Sequence, residues 1–462
     1  MEEEFRDHIA TVSEDGKRVW VYPKKPKGKF TNRRKWVSYS LLIFLLTAPF
    51  IKINGDQLIE LNILERKFSI FGATFWPQDL YLFAVMLIIF IVFVILFTII
   101  YGRLFCGWFC PQTIFMEFVF RRIEYWIDGD WTQQKALDKQ AWNAKKWGKR
   151  ILKHTIFWLI SFVIANIFLT YIIGSDALLK IMVEPVRLHI GGLISMGIFT
   201  TLFYFVFSRL REQVCTTICP YGRLQGVLLD QNSMVVAYDY VRGEERAKFR
   251  KGEDRPAAKK GDCIDCAQCV HVCPTGIDIR NGTQLECVNC TACIDACDSM
   301  MEGVGLEKGL IRFVSENGIK NRTRFQWTRR VISYTVLLVV LIGVWITMLA
   351  MREDFSTTIL RQRGSTFQID EGDQITNIFE IDLTNKTKTT FDVKLNSSES
   401  DVKLQIANKM IRLPGEKHVR ERFIARFPYK VIEKGTRKID VIILGNGEEI
   451  DRVSIKLIGP SF

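Results

Sequence analysis

Scattered cysteines are missing from this chain. All twelve fall in four tight motifs, and none occurs from Arg352 to the end of the 462 residues. A disulfide-stapled secreted protein spreads its cysteines through a short chain, so that class is excluded and thiolate ligation in a reducing compartment is expected. The first 35 residues are polar and charged, with no short apolar run of the kind found in a signal peptide. The N-terminus is therefore expected to stay on the side where it is made. No Gly-rich nucleotide loop accompanies the cysteine motifs, which excludes that type of substrate site beside them.

What the sequence has in quantity is apolar length. Its 48% hydrophobic content comes in blocks, at Trp36–Ile53, Leu80–Tyr101, Thr155–Ile173, Ile190–Phe207 and Val331–Ala350. Each approaches the ~20 residues an α-helix needs to cross a bilayer core. Helices of a soluble core alternate polar and apolar faces, whereas these runs carry almost no charge. Five transmembrane spans are expected.

Lys24, Lys25, Lys27, Arg33, Arg34 and Lys35 abut the first run, and positive charge beside a span marks the cytoplasmic side. Alternation from there places 52–79 outside, 102–154 inside, 174–189 outside, 208–330 inside and 352–462 outside. Arg121-Arg122, Lys145-Lys146, Lys149-Arg150 and Arg329-Arg330 all fall inside, as do the cysteines. The cysteine-free tail then lies in an oxidising periplasm. Basic residues beside spans and anionic headgroups account for much of the net charge of +13, so no nucleic-acid partner is implied; the lipid membrane is.

Two copies of Cys-x2-Cys-x2-Cys-x3-Cys, starting at Cys263 and Cys287, have the spacing of a two-cluster bacterial ferredoxin. In that arrangement three close thiolates hold one [4Fe-4S] cluster and the fourth cysteine of each run reaches the other. Cys263, Cys266, Cys269 and Cys297 are thus expected around one cluster, and Cys287, Cys290, Cys293 and Cys273 around the second. Zinc sites also use x2 spacing, but not this doubled run. Cys297 is followed by Asp298 where the usual run has Pro, so a local turn can differ. The expected role is electron relay, with Asp262, Asp265, Asp278, Glu286, Asp295 and Asp298 as either a docking face for a basic donor or a solvated surface.

The remaining cysteines form two Cys-x3-Cys-Pro motifs, Cys106 with Cys110 and Cys215 with Cys219, each where the second helix of a hairpin ends. That matched placement suggests an internal repeat. Residues i and i+4 share a helix face, so side-by-side hairpins would gather four sulfurs at the inner membrane edge. Soft thiolates favour Cu(I), zinc or an iron-sulfur cluster. Simple burial of small residues explains cysteines in general but not a matched spacing before Pro. Between Gln133 and Lys153 a Lys- and Trp-rich stretch reads as an amphipathic or plainly solvated helix, and the charged stretch 241–260 as a headgroup linker. Beyond 352, alternating runs and the Gly445-Asn446-Gly447 turn signal predict seven or eight short strands in an immunoglobulin-like β-sandwich.

These readings divide the chain into a cytoplasmic segment (1–35), a four-helix membrane region with both Cys-x3-Cys-Pro motifs (36–220), a linker with a 2[4Fe-4S] ferredoxin-like domain (221–330), a fifth transmembrane helix (331–351) and a periplasmic β-sandwich (352–462). The fold class is a multi-domain membrane protein, an α-helical bundle with an inserted ferredoxin-like domain and a C-terminal sandwich.

Several stretches resemble the CcoG family of cytochrome c oxidase accessory proteins, also called FixG or RdxA. They include Phe75–Asp79, Cys106-Gly107-Trp108-Phe109-Cys110-Pro111-Gln112-Thr113, Cys215–Gln225, Gly261–Cys266, Cys273–Gln284 and Gly309–Arg312. The resemblance implies a polyferredoxin of the bacterial inner membrane that reduces Cu(II) to Cu(I) during assembly of a haem-copper terminal oxidase. It implies copper at Cys106, Cys110, Cys215 and Cys219, a cytoplasmic electron donor, and oxidase assembly factors or a copper chaperone as partners. A quinol-linked relay to a periplasmic nitrate or nitrous-oxide reductase, and a non-redox scaffold or metallochaperone, are the alternatives.

Overall fold

A computed structural model describes residues 11–460 except 14, 54, 64–66, 77–78, 324, 363, 365, 371–373, 388, 407–409, 416 and 433–434. Pro77 and Gln78, part of the Phe75–Asp79 stretch, thus lie outside the described residues. The chain forms two compact units, one from the residues up to Asn62 and Val85–Gly343, the other from Ile63–Ala84 and Val344 onward.

The principal helices are α1 (Lys29–Thr47), α2 (Leu80–Tyr101), α3 (Ala144–Ile173), α4 (Ile190–Phe205), α5 (Ala292–Val304) and α6 (Arg329–Ala350). Four helices among the described residues are long and apolar enough to cross a membrane: Leu80–Tyr101, Ala144–Ile173, Ile190–Leu210 and Arg329–Ala350. At 1.5 Å per residue a 22-residue helix spans about 33 Å, which matches a bilayer core. The expected span Trp36–Ile53 is not among the four. Its helix starts early, at Lys29, takes in Arg33, Arg34 and Lys35, and gives way at Thr47 to a 3-10 turn containing Pro49. The amphipathic helix expected over 133–153 is also divided. Asp130 caps a helix at Trp131–Lys139, and Asn143 starts α3 afresh by accepting from the Lys146 N–H.

Within the first unit, strands β1 (Val235–Tyr238) and β2 (Ile311–Val314) pair antiparallel. They lie on either side of both long cysteine runs in sequence, so their pairing closes that region into one body. Val236, Tyr238, Ile277, Ile294, Met301 and Leu310 form its core with the cysteines. The stretch 241–260 is not a free linker. The buried Arg255 guanidinium donates to the carbonyls of Gly261 (2.9 Å) and Cys263 (3.1 Å), wrapping the charged segment onto the first cysteine run.

The second unit is a sandwich. Its strands are β3 (Phe355–Arg361), β4 (Gln368–Asp370), β5 (Gln374–Asn385), β6 (Phe391–Ser397), β7 (Lys403–Ile406), β8 (Ile411–Leu413), β9 (His418–Pro428), β10 (Thr436–Gly445) and β11 (Glu448–Ile458). One sheet has the order β7-β9-β5-β3, with β4 also on β5, and the other β8-β6-β10-β11. All pairings are antiparallel. Alternate residues point inward, and Phe379 stacks on Phe423 at 5.4 Å between centroids in the apolar core.

Two polar features hold this unit together. Asn377, fully buried on β5, donates to the Ile458 carbonyl and accepts from the Ile458 N–H, both at 2.8 Å. Asn377→Ala strands both backbone groups and is expected to destabilise the sandwich by about 3 kcal/mol. Hydrogen exchange of β5 and β11 checks this; unchanged protection contradicts it. The second feature is Asp79, whose buried carboxylate accepts from Arg352 and Lys386, each at 2.7 Å.

Candidate functional site

Each long cysteine run folds as a loop followed by a helix, and the two loops repeat one another. Asp265 and Ala267 in the first, Asn289 and Thr291 in the second, all adopt left-handed backbone conformations, with φ of 50°, 52°, 51° and 65°. These are the second and fourth residues after the leading cysteine in both runs. Left-handed turns by residues other than glycine are costly and persist only where surrounding structure enforces them. Here they curl the backbone so that the sulfurs converge.

The sulfurs line two cavities. One is walled by Cys263, Cys266, Cys269 and Cys297; the other by Cys273, Cys287, Cys290 and Cys293. The fourth cysteine of each run therefore sits in the opposite cavity, in the crossed pattern expected from the spacing. Cys269 also borders the second cavity, so a single side chain touches both.

None of the twelve cysteines is paired in a disulfide. Burial first, then the neighbouring sulfurs, pushes Cys287 and Cys297 up to about 12 and Cys290 up to about 11. Such a group cannot ionise unless a cation joins it. Among the described residues no three His, Cys, Asp or Glu side chains approach closely enough to hold one metal ion. Thiolates around a four-iron cube stand further apart than around a single ion, so this donor set fits a [4Fe-4S] cluster better than zinc.

The acidic face proposed for donor docking is mostly occupied. Asp265 and Asp278 hold Arg280, Asp262 holds Arg242, and Asp298 accepts from the Gly309 N–H. Asp295 accepts from the N–H groups of Phe30 (2.9 Å) and Thr31 (2.6 Å), capping α1 from across the fold. A Cβ on Gly28 would collide with the same carboxylate.

The four remaining cysteines are brought together as well. Cys110 (φ −65°, ψ 124°) and Cys219 (φ −69°, ψ 112°) are matched extended residues, each followed by a proline that begins a short helix, Pro111–Ile114 and Pro220–Leu228. Cys106 and Cys215 sit one turn earlier, in the helical segments Leu104–Trp108 and Val214–Ile218. The second cysteine of each motif has thus left the helix, so the pair is aligned by the turn before Pro rather than by an i, i+4 face. Each sulfur lies within electrostatic reach of at least two others. Burial, the largest influence, raises Cys106 to about 11 and Cys215 to about 12.

Residues without a motif of their own complete this quartet. Gln225 accepts from the Cys106 thiol at 3.1 Å and from Arg103 Nε at 3.1 Å. The N–H groups of Gln112 and Thr113 donate to the Cys110 sulfur. Glu117, just after the first motif, pairs with the buried Arg121.

The quartet abuts the second cavity directly. A Cβ on Gly107, between Cys106 and Cys110, would run into the carbonyl of Val288, between Cys287 and Cys290. Arg34 donates to the Gly107 carbonyl at 2.7 Å. Cys106 packs in one apolar cluster with Val288, Cys290 and Cys293. The order in space is cavity one, cavity two, quartet.

Comparison with known proteins bears on this arrangement. Residues 210–316 match a family described as a 4Fe-4S dicluster domain, and residues 83–135 with 188–230 match a 4Fe-4S binding domain. Residues 345–460 match the immunoglobulin-like fold at the C-terminus of FixG. The chain is 31% identical to the protein RdxB of Cereibacter sphaeroides over 92% of its own length and 91% of that protein's. It is 32% identical to the nitrogen fixation protein FixG of Rhizobium meliloti, covering 80% of this chain and 77% of FixG. The chain belongs to the FixG/RdxA family. RdxA of Cereibacter sphaeroides, 34% identical with 80% of each chain covered, is a further relative. Membership of this iron-sulfur family accounts for the two cysteine cavities, the membrane helices and the C-terminal sandwich together.

Proposed function

We propose that this FixG/RdxA-family electron-transfer protein reduces Cu(II) to Cu(I) at the Cys106–Cys110–Cys215–Cys219 quartet, for insertion into a haem-copper oxidase. The observation that carries the reading is the close packing of the Gly107 backbone, between Cys106 and Cys110, on the Val288 carbonyl, between Cys287 and Cys290. In this reading Cys263, Cys266, Cys269 and Cys297 hold one [4Fe-4S] cluster, and Cys273, Cys287, Cys290 and Cys293 the other. When bound, these clusters supply one-electron redox capacity. The protein's own part is to bury the donor sulfurs, bridge the cavities through Cys269, and present soft sulfur that favours Cu(I) over Cu(II).

The cysteine domain faces the cytoplasm in this reading and the sandwich the periplasm. The geometry of α1 supports the odd number of crossings this requires. Its first turn is capped by Asp295 beside the second cavity, and its far end meets the far end of α3, where Tyr171 donates to the Leu45 carbonyl at 2.6 Å. Thus α1 runs the same course as the apolar part of α3, although its composition is more charged.

Cys106→Ser with Cys110→Ser is expected to abolish reduction of Cu(II), followed with a Cu(I)-specific chelator, while both cluster EPR signals persist. Unchanged copper reduction overturns the assignment. A second reading of the quartet is favoured by the match of 83–135 and 188–230 to a 4Fe-4S binding domain: a further iron-sulfur cluster in place of copper. The same variant separates them, since iron content falls only in the second.

A further inference from the structure

We propose that the cleft at the inner ends of α3 and α4 binds and oxidises a membrane quinol, which makes the electron donor lipid-soluble. This rests on the electron-transfer reading above and names its reductant. The cleft is bordered by Trp20, Phe157 and Phe205 among its charged side chains and opens where two membrane-length helices end. Quinol rings are held by such surfaces when a few polar groups fix the hydroxyls.

Those polar groups are present. Tyr204 Oη and His154 Nδ1, on the two helices, share a hydrogen bond of 2.9 Å. Asp128, 4% exposed, gives one carboxylate oxygen to Lys153 at 2.6 Å, while its Oδ1 has no hydrogen-bond partner. A buried acceptor without a donor is costly, and it asks for a hydroxyl. Most of the cations beside it are already engaged, and Arg209 lies over the Trp20 ring at 5.6 Å. Lys146 donates to the carbonyls of Asp138 and Gln140, Arg150 pairs with Asp138, and Arg211 bonds Glu124 at 2.8 Å. A phospholipid phosphate would be repelled by the Asp128 carboxylate, whereas a quinol hydroxyl satisfies it directly.

The cleft is also joined to the quartet. Arg211 borders both it and a second, smaller cavity walled by Glu212, Thr113, Cys215 and Thr275. Electrons leaving the cleft therefore have a short route to the sulfurs. The overall step is QH2 + 2 Cu(II) → Q + 2 Cu(I) + 2 H+. The quinol loses two electrons, each Cu(II) gains one, and the two O–H protons go to Asp128 and His154.

The test uses the full chain in lipid nanodiscs with decylubiquinone and decylubiquinol. Decylubiquinone is expected to bind, read as quenching of tryptophan fluorescence, and anaerobic decylubiquinol to reduce the clusters, read by EPR. Asp128→Asn is expected to slow that reduction at least tenfold and the near-isosteric Tyr204→Phe several-fold, with reduction by dithionite and iron content unchanged in both. Absence of decylubiquinone binding, equal rates in wild type and both variants, or displacement by phosphatidylglycerol overturns the proposal. If decylubiquinol fails while dithionite-reduced protein still converts Cu(II), the cleft proposal falls and the copper reading stands. If decylubiquinol reduces the clusters but copper is not reduced, the cleft proposal stands and the copper reading falls.

Discussion

Replacing Cys273 with serine is expected to destroy the cluster framed by Cys287, Cys290 and Cys293, and to spare the one nearer its own run. Cys297→Ser is expected to do the reverse. The reason is the crossed lining of the two cavities, in which each run sends its last cysteine to the other. Serine is a poor ligand for iron, and the buried position offers no replacement sulfur. About half of the iron is lost in each case. The identity of the lost cluster is read by comparison: the EPR spectrum of Cys273→Ser should match that of Cys290→Ser, and that of Cys297→Ser should match Cys266→Ser. The opposite matching would show that each run binds its own cluster.

Asp79→Asn is the second change with a large expected effect. The carboxylate is buried and is the shared acceptor for Arg352 and Lys386, whose side chains are 16% and 8% exposed. Losing the negative charge leaves two nearly buried cations without compensation. Removing one partner of a buried pair typically costs 3–5 kcal/mol, and the residual exposure of Arg352 places the expected loss near the lower bound, about 3 kcal/mol. The second unit should become sensitive to protease around Lys386 while cluster EPR signals stay intact. Wild-type resistance in the variant would show that the pair contributes little.

Much of the site was legible because metal-ligand chemistry leaves a fixed spacing. Two x2-x2-x3 runs predict two clusters and the exchange of fourth cysteines, and the structure brings those groups of four together. The sandwich was legible from period-two alternation and the Gly445-Asn446-Gly447 turn, where Asn446 has a φ of 52°. Other features left no such trace. Asp265, Ala267, Asn289 and Thr291 are left-handed without being glycine, so composition gives no warning. Arg255 looks like one charge in a charged stretch, yet its guanidinium is buried among carbonyls. Acidic residues between the cysteines read as a surface because their partners, Arg242, Arg280 and the first turn of α1, are remote in sequence or unmarked. The start of α3 was displaced because hydropathy sees the apolar run but not the Asn143 cap that begins the helix eleven residues or so earlier.

The Asp295 cap on α1 also sets an order of events during synthesis. The two partners are 265 residues apart, so at ~5–20 residues per second the first helix waits on the order of half a minute for its cap to be translated. Throughout that interval the first turn has no acidic residue and no side-chain cap of its own. Its final seating therefore depends on α5, which carries Cys293 and Cys297 and takes its place only as the cysteine domain folds. A cell short of iron would accumulate nascent chains whose first helix is loosely anchored.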